Sequence, residues 1–125
     1  MNAHQILFVE DDPLISLSAS EFIRDRGFRV LDADCALDAM KVIDRHGYLS
    51  ALVTDVDLGP GQDGFALARQ VRTAYPHLPV VFVSGTAAAR HPVEGVEGSV
   101  FIDKPYHPRQ VVEALRGMPA YRTAA

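Results

Sequence analysis

The chain has 125 residues, a length that suits one domain with a single hydrophobic core. Hydrophobic residues make up 48% and charged residues 22%, and the formal net charge is −4 with basic residues scattered singly, which argues against direct nucleic-acid binding. The single cysteine, Cys35, cannot form an internal disulfide, and no apolar run approaches the roughly 20 residues that span a bilayer. Because the N-terminus also lacks a signal-peptide pattern, we expect a cytoplasmic protein without membrane insertion.

Short apolar runs alternate with helical patterns along the chain. The predicted strands lie at about residues 6–10, 29–33, 51–55, 80–84 and 100–103. The predicted helices lie at about residues 13–26, 36–45, from 63 or 64 onward, and 108–116. Between residues 86 and 98, an alanine run favours a helix while Pro92, Gly95 and Gly98 interrupt it, so we expect a short or irregular fourth helix there.

The first helix has clear start and stop signals. Asp12 followed by Pro13 is typical of an N-cap and a first helical residue, and Gly27 ends the pattern. Its apolar residues, Leu14, Ile15, Leu17, Phe22 and Ile23, are predicted to lean to one side. We expect the folded core to run from about residue 5 to residue 117, with a frayed tail at 118–125.

Five strands alternating with five helical segments predict a parallel sheet that is covered by helices on both faces. For a doubly wound sheet of this size the order 2-1-3-4-5 is common, and its ligand site lies where strands one and three adjoin, at their carboxyl ends. Asp11, Asp12 and Asp55 are predicted to converge at that edge. Ser84 arrives from strand four, and Lys104 follows strand five.

Three clustered carboxylates repel one another unless a cation offsets the repulsion. Mg²⁺ prefers oxygen ligands and keeps several waters or phosphate oxygens, so a Mg²⁺ site is predicted, with Mn²⁺ as a substitute. Asp12 and Asp55 are the expected direct ligands, Asp11 binds directly or through water, and the backbone carbonyl of Asp57 supplies another ligand.

A carboxylate beside a metal and a lysine can act as the nucleophile in phosphoryl transfer. Asp55 is the predicted acceptor, while Lys104 pairs with one phosphoryl oxygen and the Ser84 hydroxyl binds another. Each residue also has a simpler interpretation taken singly. Asp12 could only cap a helix, Asp55 could only end a strand, and Lys104–Pro105 could form a simple turn.

The joint pattern resembles the receiver domain of two-component response regulators over about 115 residues. The matching residues are Asp11 and Asp12 after strand one, Asp55 after strand three, Ser84 after strand four, and Lys104–Pro105 after strand five. The resemblance implies a flavodoxin-like (βα)₅ fold and Mg²⁺-dependent transfer of a phosphoryl group to Asp55 from a sensor histidine kinase or a histidine phosphotransfer protein. It also implies a cis bond before Pro105, and self-catalysed phosphorylation with slow autodephosphorylation in place of enzymatic turnover.

Three features depart from the commonest pattern of that family. The switch aromatic on strand five is Phe101, which lacks a tyrosine hydroxyl. The loop from Asp55 to Gly64 is one residue longer, as in a subgroup of receivers that are often stand-alone or attached to sensor kinases. The weak fourth helix suits either an order–disorder response or a variable loop. In receivers the positions of Asp57 and Thr86 line the approach of the hydrolytic water, so the resemblance implies that these two residues tune phosphoryl lifetime.

Two other functions remain open from the sequence. Asp55-Val56-Asp57 superficially resembles the nucleophile and acid of haloacid-dehalogenase-type phosphohydrolases, although that motif normally follows the first strand. A phosphate-independent protein-binding module is the second alternative. No attached output domain is visible, so we expect a stand-alone receiver with an unidentified downstream protein partner, a fragment of a larger regulator being the alternative.

Overall fold

The computed structural model describes residues 4–118, and the rest of the predicted frayed tail, 119–125, lies outside the described residues. The strands are β1 (Gln5–Val9), β2 (Arg29–Ala33), β3 (Ala51–Asp55), β4 (Val80–Ser84) and β5 (Val100–Asp103). The helices are α1 (Pro13–Asp25), α2 (Ala36–His46), α3 (Gly64–Ala74), α4 (His91–Glu94) and α5 (Pro108–Gly117), with a 3₁₀ turn at Ala88–Arg90. Within residues 4–118, no helix is both long and apolar enough to cross a membrane.

The five strands form one parallel sheet in the order β2-β1-β3-β4-β5, which confirms the predicted doubly wound fold. β1 and β3 are direct neighbours, with Phe8 opposite Val53 and Val9 opposite Thr54. Their carboxyl ends therefore lie side by side, and the residues that follow β1 meet the residue that ends β3. This adjacency at the switch point of the sheet positions the site.

The core is divided between the two faces of the sheet. Alternate residues of β1 pack on opposite sides: Ile6 and Phe8 pack with α1 and α5, whereas Leu7 and Val9 pack with α2 and α3. This period of two follows from the pleat of a strand. Because helices cover both faces, β1, β3 and β4 are buried along their whole length, which explains their nearly continuous apolar sequences.

α1 begins where the sequence predicts, but the side of the helix that packs against the sheet differs in part from the predicted one. Asp12 Oδ1 accepts hydrogen bonds from the backbone N–H groups of Leu14 and Ile15 at 2.9 and 3.3 Å, and Pro13 is the first helical residue. Of the apolar residues predicted to share one side of α1, Ile23 is buried as part of the core, whereas 79% of the surface of Leu14 and 58% of that of Leu17 are exposed, so the prediction is wrong for these two leucines. The buried stripe consists of Ile23 together with the smaller Ala19 and Ser20.

The fourth helix is short, as the interrupted pattern predicts, and none of its residues is buried. Side chains of α3 reach across to this segment: Arg69 Nη1 donates to the Glu94 carbonyl oxygen, and Arg72 Nη2 donates to the Glu97 carbonyl oxygen, each at 2.9 Å. The ring of His91 lies 5.5 Å from the ring of Phe101. The segment is thus held to the rest of the domain largely by side-chain contacts.

Candidate functional site

Three carboxylates meet where β1 and β3 end. One side-chain oxygen each from Glu10, Asp11 and Asp55 lies within 4.8 Å of the others. Glu10 and Asp55 are buried, with 2% and 4% of their surfaces exposed, whereas Asp11 is exposed. The cluster therefore sits at the surface with its two deeper carboxylates shielded from water.

Lys104 supplies the cation nearest to these carboxylates. Its Nζ lies 2.9 Å from Asp55 Oδ2 and 3.2 Å from Glu10 Oε1. The strand pairing that sets Asp103 opposite Ser84 places Lys104 just beyond the sheet edge, and its backbone N–H donates to the Ser84 carbonyl oxygen at 2.9 Å. The peptide bond that follows, Lys104–Pro105, is cis, the geometry that the family resemblance implies.

Burial governs the protonation of the cluster. It raises the pKa of Glu10 from 4.5 to about 7, and a hydrogen bond with Asp55 acts in the same direction. Burial also raises the pKa of Asp55, against the opposing hydrogen bonds from Lys104 and Glu10. Burial alone would lower the pKa of Lys104, yet its hydrogen bond and charge interaction with Asp55 raise it. Three carboxylates therefore face one ammonium, and a further cation would favour their ionised forms.

Ser84 ends β4, and its hydroxyl lies among several hydrogen-bonding groups. Only 1% of its surface is exposed, and its Oγ accepts the backbone N–H groups of Thr86 and Ala87, each at 3.1 Å. The Asp57 side chain completes the group. Its Oδ2 accepts the hydroxyl of Ser84 at 3.4 Å and that of Thr86 at 3.3 Å. These three predicted residues are therefore in mutual contact.

Asp12 has a different place from the one expected for a direct metal ligand. It stands outside the group of three carboxylates, and its Oδ1 caps α1. Its backbone N–H donates to Glu10 Oε2 at 3.2 Å. The carboxylates at the edge are thus Glu10 and Asp11, one residue earlier than the pair singled out in the sequence. Glu10 was missed, although its position directly after four apolar residues of β1 was an available signal.

Gly64 brings the first turn of α3 against the end of β3. Its N–H donates to the Val56 carbonyl oxygen at 2.8 Å. A Cβ atom at Gly64 would collide with the backbone of Asp55 and Val56. The absence of a side chain is therefore what lets the helix approach the residue that carries the central carboxylate.

Two aromatic side chains flank this edge of the sheet. Phe101, at the position expected for a switch residue, is partly buried and packs against the core on the α2–α3 side. Tyr106 follows the cis bond, and its hydroxyl is buried without a hydrogen-bond partner among the described residues. Burial raises the pKa of Tyr106, and the charges of Glu10 and Asp55 add to that effect.

Comparison with known proteins identifies the family. The model of the response regulator receiver domain matches residues 6–116. A receiver protein from Sinorhizobium medicae has a structure that superposes with a TM-score of 0.86 at 28% identity, covering 91% of this chain and 92% of that one. The chain therefore belongs to the response regulator receiver domain family, which takes part in two-component signal transduction.

Curated relatives carry this domain within longer proteins. The response regulator protein FleR of Pseudomonas aeruginosa is 32% identical over 90% of this chain, which spans 24% of its length. The sensor kinase CckA of Brucella abortus is 28% identical over 90% of this chain, which spans 12% of its length. The likeness thus extends to receiver domains in both response regulators and kinases.

Proposed function

We propose that this domain relays a signal by accepting a phosphoryl group on the side chain of Asp55. The observation that carries the proposal is the pairing of the buried Asp55 carboxylate with the Lys104 ammonium at 2.9 Å, inside a cluster with excess negative charge. A buried carboxylate at the carboxyl end of a central strand, facing a fixed cation, suits nucleophilic phosphoryl transfer. Family membership supports the same chemistry.

The donor is a phosphohistidine on a sensor histidine kinase or a histidine phosphotransfer protein. An oxygen of Asp55 forms the new bond to phosphorus as the phosphorus–nitrogen bond of the donor breaks, and the imidazole leaves with the electron pair of that bond. Lys104 neutralises charge on one phosphoryl oxygen, and the Ser84 hydroxyl donates to another. The residues act mainly by positioning and charge neutralisation, because little other covalent chemistry is required.

The carboxylates fit a divalent cation with oxygen ligands. Asp11 and Asp55 offer exposed and buried carboxylate oxygens within 4.8 Å of each other, which suits Mg²⁺ with its retained waters, and Mn²⁺ can replace it. We assign the direct contacts to Asp11, Asp55 and the backbone carbonyl of Asp57, with Glu10 adding charge, because Asp12 is engaged as a helix cap. When bound, the cation neutralises phosphoryl charge.

The output is a change in the contacts that the domain makes with a downstream protein, or transfer of the phosphoryl group onward. Phe101 and the short α4 segment are the elements that respond, while Asp57 and Thr86 tune the phosphoryl lifetime. The protein acts in the cytoplasm without binding nucleic acid directly. It accepts phosphate once per cycle and releases it slowly by its own chemistry, without enzymatic turnover of a separate substrate.

Intact-mass measurement with a small-molecule donor tests this function. Acetyl phosphate, with phosphoramidate as a second donor, is added with Mg²⁺ or with a chelator to the wild type and to Asp55→Asn. We expect a single Mg²⁺-dependent phosphoryl adduct that Asp55→Asn loses. Continuous release of inorganic phosphate from a phosphomonoester would favour a hydrolase. An unmodified wild type with both donors would favour a phosphate-independent binding module.

A further inference from the structure

The side chain of Asp57 accepts hydrogen bonds from two hydroxyl groups. Its Oδ2 accepts hydrogen bonds from Ser84 Oγ at 3.4 Å and from Thr86 Oγ1 at 3.3 Å. Asp57 lies two residues beyond Asp55, on the loop that leaves β3, whereas the two hydroxyls lie at the end of β4. We call this arrangement of Asp57, Ser84 and Thr86 the carboxylate clasp.

In the clasp, the only hydrogen that the Ser84 hydroxyl can donate is bonded to Asp57. A serine hydroxyl has one donor hydrogen and two acceptor lone pairs. The backbone N–H groups of Thr86 and Ala87 both point at Ser84 Oγ, each at 3.1 Å, and occupy its acceptor capacity. The hydroxyl hydrogen is then directed to Asp57. Ser84 cannot donate to a phosphoryl oxygen until it releases that carboxylate.

We propose that Asp57 is a positioning residue that competes with a phosphoryl group on Asp55 for the hydroxyl hydrogen of Ser84. This inference rests on the proposed function, because it concerns the acceptor state of the same site. Phosphorylation brings further negative charge near the Asp57 carboxylate, and like charges repel. The hydrogen of Ser84 then passes to the phosphoryl oxygen, and the clasp opens.

Opening the clasp changes the start of the output segment. Thr86 belongs to the short stretch between β4 and the 3₁₀ turn at Ala88–Arg90, which leads directly into α4. In the resting clasp, the Thr86 hydroxyl is tied to Asp57, so this stretch is anchored to the loop after β3. Release of Asp57 removes that anchor. The clasp therefore connects the loop after β3 to the stretch that leads into α4.

Two neutral variants separate this competition from simple charge repulsion. Asp57→Ala removes both the charge and the hydrogen-bond acceptor, whereas Asp57→Asn removes the charge and keeps a side-chain oxygen. Because Asp57 is exposed, both variants are expected to fold. The probe is beryllofluoride with Mg²⁺, a mimic of the phosphoryl group, and its dissociation constant is measured by titration calorimetry.

We expect Asp57→Ala to bind beryllofluoride about 3- to 10-fold more tightly than Asp57→Asn does, the value of one competing hydrogen bond. In a Ser84→Ala background the two variants should bind equally, because the contested hydrogen is gone. Equal affinities of Asp57→Ala and Asp57→Asn in the presence of Ser84 would overturn the inference and leave only a charge effect.

A measurement on the resting protein distinguishes failure of the inference from failure of the proposed function. In ¹H–¹⁵N spectra recorded without Mg²⁺ or probe, Asp57→Ala should shift the amide signals of Thr86 and Ala87, and Asp57→Asn should shift them less. Unchanged amide signals would overturn the clasp even if beryllofluoride binds. The other outcome is that the amide signals shift but the wild type accepts neither beryllofluoride nor a phosphoryl group. That result would support the clasp and refute the phosphoryl-acceptor function.

Discussion

Lys104 Nζ lies 2.9 Å from Asp55 Oδ2, so the nucleophile that we propose is bound to a cation before any phosphoryl group arrives. The two residues are 49 positions apart and meet because β3 and β5 flank β4 in the sheet. The same ammonium lies 3.2 Å from Glu10 Oε1. One lysine therefore contacts both buried carboxylates of the cluster.

Replacing this lysine should slow phosphorylation strongly. Lys104→Met removes the charge that faces the incoming phosphoryl oxygens, and we expect the rate of adduct formation with acetyl phosphate to fall about 100-fold, the usual cost of losing one transition-state donor. Lys41→Met is the matched control, because Lys41 is exposed on α2, away from the carboxyl ends of β1 and β3. Rates are followed by intact mass. A rate within threefold of the wild type would remove Lys104 from the mechanism.

Binding of Mg²⁺ should depend on Asp11 more than on its neighbour Asp12. Asp11→Asn removes a carboxylate of the cluster, so the rise in thermal midpoint that Mg²⁺ produces in the wild type should largely disappear. Asp12→Asn keeps an oxygen that can cap α1 and should retain most of that rise. The opposite ranking would restore Asp12 as the direct ligand that the sequence first indicated.

The stability of the metal-free protein should fall as the pH rises toward neutrality. The pKa of Glu10 is raised from 4.5 in the unfolded chain to about 7 in the fold, so its contribution is fully present below pH 4.5 and is lost as the pH rises through about 7. The loss is about 3 kcal/mol. Denaturant unfolding in a chelator, compared with Glu10→Gln, measures it. Parallel pH curves for the two proteins would contradict this assignment.

Gly64 should tolerate no side chain. Gly64→Ala places a methyl group into the backbone of Asp55 and Val56, which should lower the free energy of unfolding by about 1–3 kcal/mol and slow phosphorylation by displacing Asp55. Gly117→Ala is the control, since a Cβ there meets nothing within 4 Å and alanine favours the helix. Equal stability of the two variants would refute the close approach of α3 to β3.

The fold could be predicted from the sequence because the apolar runs of the strands and the start and stop signals of the helices agree with one another. Four of the five strands have the predicted bounds, and Gly47 ends α2 with a φ of 79°, as a helix-terminating glycine should. Which residues of α1 face the sheet could not be predicted in full. Leu14 and Leu17 are apolar yet exposed, because packing against the sheet selects the smaller Ala19 and Ser20 for the close contact. Composition alone does not distinguish these faces.

The sequence predicted the positions of three site residues, while its phosphoryl chemistry stays a prediction. Asp55, Ser84 and Lys104 could be placed because each directly ends or follows a strand. Which residues after β1 reach the edge depends on where the chain turns into α1, and that turn sets Asp12 at the helix cap and leaves Glu10 at the cluster. The clasp of Asp57 could not be predicted from the sequence, because it depends on side-chain rotamers that no spacing rule specifies.

The most direct test of the central claim is chemical identification of the phosphorylated residue. The protein is phosphorylated with acetyl phosphate and Mg²⁺ and then treated with sodium borohydride, which reduces an aspartyl phosphate to homoserine, and the peptides are mapped by mass spectrometry. The account predicts homoserine at position 55 and unchanged aspartate at positions 11, 12 and 57. Homoserine at any of those other positions, with residue 55 unmodified, would contradict it.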